Sequence, residues 1–232
     1  MTVVPTSVEK FRRELRAGLS ERSLSGTAYF ALLNIYLAGL VAACLWMLDH
    51  VRPIELSTLP ASFLYINLVE YWAHRLPMHK PMPLLTIVFK GHTLQHHRYF
   101  TKDAMECRDS MDLKFLFFPP SMILFFTVAF ALPMGFILLA VASANVALLF
   151  VITAALYYLS YEYMHAAYHL PDSHWVSRLP GIKTLRRSHR LHHDHHLMSH
   201  ANFNITFPIG DLIFGTRVRD NEATSPSGSR AP

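Results

Sequence analysis

The sequence predicts an all-α polytopic membrane protein, about four transmembrane helices carrying a cytoplasmic helical cap, and three observations lead to it. Of the 232 residues, 52% are hydrophobic and only 16% charged, against roughly 25% charged in a typical soluble domain. The apolar residues are gathered into blocks of about 20, the length at which a helix crosses a hydrocarbon core. Lysine and arginine are confined to some of the segments between those blocks and nearly absent from the others. A soluble chain with a very large core would instead spread its apolar residues at amphipathic spacing.

Residues 1–26 read as an arm with an interfacial helix. Val8, Phe11, Leu15 and Leu19 line one side, with Lys10, Arg12, Arg13 and Arg16 around them, the pattern of a helix lying in the membrane surface. No apolar run follows these charges closely enough to read as a signal peptide. The membrane-embedded domain is placed at 27–219. Its first span, Thr27 to Leu48, carries no charge. The second, about Leu56 to Leu76, is less apolar and includes Asn67, Glu70, Trp72 and His74. A third, roughly Leu113 to Leu132, contains Pro119-Pro120 and should kink or start late. Pro133-Met134-Gly135 reads as a tight turn into the fourth, Gly135 to about Tyr158. The tail 220–232 has the composition of a disordered segment. Cys44 and Cys107, the two cysteines, form no Cys-x-x-Cys pair and are read as unbridged.

Charge sets the orientation. Of 21 Lys and Arg residues, only Arg52 lies in the loops joining spans one to two and three to four. The arm, the 75–114 segment and the C-terminal region hold the rest, so the positive-inside rule turns all three to the cytoplasm. The pI near 9.3 is then explained by basic loops facing anionic lipid rather than by nucleic acid.

Thirteen of the 15 histidines fall in the two polar stretches that follow these spans. His92 and His96 are four apart, on one α-helical face with His97 on its flank, and His165 and His169 repeat that spacing. His189 shares a face with both His192 and His193. His74 and His79 are five apart, with Pro77 bending the helix between them. These ten imidazoles match what two metal ions would need, and imidazole suits iron, copper or zinc alike. His174, His195 and His196 are assigned to the surface or to supporting roles, and His50 and His200 to ordinary loops. Glu70, Glu162 and Asp194 lie close in sequence to the histidines and are expected to orient their ring N–H groups. Tyr71, Trp72, Tyr99 and Phe100 flank the motifs, more as interface anchors than as pocket walls.

The motifs HRLPMH (74–79), HTLQHH (92–97), YEYMHAAYH (161–169) and SHRLHH (188–193), with NITFPIGDLIFGT (204–216) after them, resemble the histidine boxes of the fatty acid hydroxylase and sterol desaturase superfamily. The likeness covers about 70–216. It implies metal ligands at His74, His79, His92, His96, His97, His165, His169, His189, His192 and His193, and two iron ions at a site zinc can also fill in a purified protein. It further implies molecular oxygen as co-substrate, a lipid substrate from the bilayer, and electrons from a separate ferredoxin- or cytochrome b5-like donor. The second motif departs in having three residues between its first two histidines, where several members have two. The expected activity is hydroxylation of an unactivated lipid C–H bond, in a bacterial inner membrane or endoplasmic reticulum. Desaturation at the same site is the nearest alternative. A metal transporter is a different class, and it would place its ligands along a path inside the spans.

Overall fold

A computed structural model describes residues 4–19 and 24–219; the segment 220–232, expected to be disordered, lies outside the described residues. Among the described residues every regular element is helical, with one isolated bridge between Thr101 and Ala104. The chain divides into two compact units.

One unit comprises Leu24–Ile66 and Ser110–Tyr163. Three helices long and apolar enough to cross a membrane run at least partly through it: Gly26–Met47, Met122–Val141 and Ala144–Tyr168. Ser25 starts the first by accepting the Ala28 N–H at 3.1 Å, satisfying a donor left over at a helix start. Leu33, Leu37 and Ala155 form a small core with Phe30, Ile123 and Tyr158 packed on it. Only 17% and 6% of the most apolar stretches of the first two helices are buried. Surface that apolar needs lipid or another protein against it.

The expected boundaries of the third and fourth spans need correction. Residues 133–135 form no turn: the helix runs through Leu132–Val141, and the break falls at Ala142 and Ser143. A π-turn over Thr127–Ala131 precedes Pro133. Its wider ring absorbs the missing N–H and the proline ring that would break regular α-helix. The third helix does start late, at Pro120, after extended Pro119.

The second expected span is a 16-residue helix, Thr58–Ala73, continued by a π-turn at His74–Met78. It stands apart from the other three because Asn67, Glu70 and His74, all buried, take the place of apolar residues. Before this helix, buried Glu55 gathers a polar knot. It accepts from the Ser143 hydroxyl at 2.6 Å, the Arg52 N–H at 2.8 Å and the Asn145 amide at 3.2 Å. Led by the Ser143 bond, these contacts hold its carboxyl down to about 2.

The other unit comprises Met1–Ser23, Asn67–Asp109 and Met164–Pro232, and it contains every histidine of the four motifs. The arm helix, Thr6–Ala17, belongs to it and differs from a purely interfacial helix. Arg12 is buried and donates to the carbonyls of Tyr99 at 2.8 Å and Ala104 at 2.6 Å. Arg16 reaches the Tyr99 hydroxyl at 2.7 Å. The basic side of this helix therefore fastens the loop after the second histidine motif.

Candidate metal centre

Ten histidines converge in two groups of five: His74, His79, His92, His97 and His192 in one, His96, His165, His169, His189 and His193 in the other. Within each group one nitrogen from every ring lies within 4.8 Å of the rest. None of the ten is more than 5% exposed. They are the ten singled out from sequence spacing. His174 is half-buried, with Nδ1 accepting the Val176 N–H; His50, His195, His196 and His200 are exposed.

Local backbone decides which rings meet. His74–Met78 and Lys90–His96 are π-turns, and in a π-turn residues five apart come onto one face. His74 and His79 thus stack with centroids 5.0 Å apart, and His92 Nε2 lies 3.0 Å from His97 Nε2. The α-helical expectation joining His92 to His96 is corrected accordingly: His92 groups with His97, and His96 turns to the other group. A similar division separates His192 from His193. His193 faces His189 at 3.1 Å, whereas His192 faces His79 at 3.0 Å.

Hydrogen bonding fixes the chemical form of the rings. Nδ1 of His74, His169, His192 and His193 is bonded to the carbonyls of Phe203, Met105, Ala201 and Phe100. A carbonyl only accepts, so each Nδ1 carries the proton, and a neutral ring leaves Nε2 as a lone pair. Those lone pairs point at other imidazoles. His74 Nε2 is 2.8 Å from His92 Nε2, and His192 Nε2 is 3.0 Å from His79 Nε2. His169 and His193 both sit 3.1 Å from His189 Nε2. That last atom has at most one proton to offer and faces two lone pairs. A cation at the focus resolves the conflict. Neutral imidazoles with Nε2 free and Nδ1–H anchored on the backbone are the donor set transition metals take.

Burial keeps the rings in that form. It holds His79, His92, His97, His169, His189 and His193 well below the ordinary histidine value, with neighbouring imidazoles adding to the effect. His192 is held down to about 4, burial outweighing its bond to Ala201.

The carboxylates act differently from expectation. Glu70 accepts from the backbone N–H groups of Ile205 and Thr206 and from the Thr206 hydroxyl. Glu162 accepts from the Tyr158 hydroxyl at 3.0 Å. Asp194 pairs with Lys102 at 2.8 Å. For four of the ten rings the N–H is taken by a backbone carbonyl instead, and an acid's influence on them is one step removed. Asp211 shows how: its two oxygens accept the N–H groups of Phe203 at 2.9 Å and Asn204 at 2.8 Å. With Glu70 it pins segment 201–206, whose carbonyls hold His74 and His192. Gly210 lets that segment close, since a Cβ there would come 2.7 Å from both Tyr71 Cβ and Asn204 Oδ1. Asp211 entered the sequence reading only through the family likeness. An acid in a Gly-Asp pair after the last motif was its visible signal.

Tyr71, Tyr99 and Phe100 are wholly buried, which corrects their reading as interface anchors. Phe100 packs on His169 with centroids 4.5 Å apart, and Phe203 on His192 at 5.8 Å. Trp72, 41% exposed, is the one that remains outward.

A model of the fatty acid hydroxylase family matches residues 59–216, and the chain belongs to that family. The fold is similar to that of the full-length Scs7p structure, in which only the hydroxylase domain is visible. The TM-score is 0.57 at 20% identity, over 84% of this chain and 67% of that one. No curated protein matches the sequence.

Proposed function

We propose that the protein is an oxygen-dependent lipid hydroxylase whose ten buried histidines hold two iron ions, one in each group of five. The observation that carries this reading is the convergence of Nε2 atoms at 2.8–3.1 Å, where His189 Nε2 faces two lone pairs with at most one proton to offer. Family membership supplies the reaction class. Bound iron would supply what side-chain acids and bases cannot, the use of oxygen against an unactivated alkyl C–H bond.

The chain's own contribution is to hold and to shield. Backbone carbonyls of residues 100–105 and 201–203 fix ring orientation and tautomer. Phe100 and Phe203 pack against the imidazoles and help keep water from them. In this reading the spans deliver an apolar substrate from the bilayer, with Thr58–Ala73 as a fourth crossing and the histidines on the cytoplasmic side, an orientation that loop charge supports. The balance is one lipid C–H, one O2, two electrons and two protons giving one C–OH and one water, so the two electrons come from an outside donor. Purified protein loaded with two equivalents of iron should incorporate one 18O atom from 18O2 into a lipid alcohol when a reductant is present. Product formation by metal-free protein, or labelled oxygen absent from the product, would contradict the proposal.

A further inference from the structure

Beside the second histidine group the same unit contains a cavity of about 480 Å³. Six cationic side chains line it: Lys102, Arg178, Lys183, Arg186, Arg187 and Arg190. Part of this charge is committed. Lys102 pairs with Asp194 outside the cavity, and Arg186 pairs with Asp172 on its wall. The two other acids on the wall, Asp103 and Glu106, leave the lining with more positive than negative charge. Among the described residues no ion pair engages Arg178, Lys183 or Arg187, and all three are exposed.

Placement and shape say what fits there. Lys183, Arg186, Arg187 and Arg190 recur at helical spacing on Pro180–His192. They form a basic stripe about 10 Å long, opposite the face that turns His189 and His192 inward. A single phosphate group would not span it, whereas an extended acidic protein face would, because the six cations of the lining outweigh the repulsion from Asp103, Glu106 and Asp172. The cavity is also one hydrogen bond from the histidines. Met105 lines it, and the Met105 carbonyl accepts the His169 Nδ1–H at 2.7 Å. Arg186, at its edge, donates to the carbonyls of Tyr168 at 2.9 Å and Leu170 at 2.7 Å, clamping the chain on both sides of His169.

We propose that this basic hollow is the docking site of an acidic protein that carries electrons one at a time. The inference rests on the hydroxylase reading, which requires two electrons per turnover from outside. Each of two carrier molecules is oxidised by one electron here, and the oxygen atom not inserted into lipid leaves as water. Positive charge without internal partners draws the carrier in and orients it, an effect strongest on association and weakened by salt.

The test uses the full-length chain in detergent, a [2Fe–2S] ferredoxin and the soluble domain of cytochrome b5 as probes, and the Lys183→Glu/Arg187→Glu variant. Calorimetry should show one carrier binding the wild type with affinity that falls as ionic strength rises, and the variant should weaken it at least tenfold. Carrier-driven turnover should fall in parallel, while turnover driven by dithionite stays within twofold of wild type. Carrier binding unchanged in the variant, or absent from the wild type, would overturn the docking site. So would inorganic pyrophosphate binding there in place of a carrier. Failure of dithionite-driven turnover in the wild type would strike the hydroxylase reading instead, with the binding measurement still deciding the docking site.

Discussion

The two histidine groups have the same size and burial but are held by different devices. His74 and His192 of the first hang from segment 201–206, which the buried carboxylates Glu70 and Asp211 pin through four backbone N–H groups. His169 and His193 of the second hang from Met105 and Phe100, in a loop fastened by Arg12 and backed by the Arg186 clamp. Each group also takes a ligand from the opposite half of the chain: His192 joins the 74–97 set, and His96 joins the 165–193 set. Neither half can complete a group alone. One group is tuned from the tail after the last motif, and the other from the basic loop and helix beside the cavity.

Substitutions that separate the groups sharpen this comparison. The largest effect should come from His92→Ala and His189→Ala, one in each group. Either alone should cut hydroxylation by more than about 100-fold, beyond what loss of a supporting partner produces. The double variant should be little worse, since the groups act as a unit; product assays against wild type check both points. Next come the anchors. Asp211→Asn puts an amide donor against a backbone N–H and should weaken metal binding in the first group alone by about 10–100-fold. Arg186→Gln should do the same to the second group alone, as read by competitive chelation. Equal effects of both on both groups would erase the distinction.

Smaller effects concern stability. Gly210→Ala forces a Cβ into Tyr71 and Asn204 and should lower stability by about 1–3 kcal/mol, visible as a lower melting temperature. Acid should act through the buried imidazoles. His192 is held down to about 4 in the folded chain, against about 6.5 unfolded. The unfolded chain therefore takes up the proton first, and stability present above pH 6.5 is lost as pH falls towards 4. In the metal-free protein this ring therefore makes the fold less stable at pH 5 than at pH 7. Melting temperatures that do not fall between pH 7 and pH 5 would contradict it.

Much of this was legible in the sequence, for definite reasons. Apolar block length suggested four spans, of which three are helices long and apolar enough to cross a membrane among the described residues, and i, i+4 spacing gave His165 with His169 and His189 with His193. What escaped was backbone that departs from α-helical periodicity. The π-turns at His74–Met78 and Lys90–His96 regroup His92 with His97, and a π-turn before Pro133 carries a helix through what reads as a turn. Such turns add one residue per ring without a composition signal of their own. The acids were misread for a related reason. Glu70 lies four residues from His74, yet it bonds to residues 205 and 206, a pairing only tertiary folding creates. Burial of Arg12 was hidden likewise, because a basic amphipathic helix reads the same whether it faces lipid headgroups or carbonyls.

Metal content is the most direct test of the account. Wild-type protein saturated with ferrous iron under anaerobic conditions and then desalted should retain two ions per chain, and His92→Ala and His189→Ala should each retain about one. Equal content in all three proteins, or none in the wild type, would contradict two centres built from interleaved halves.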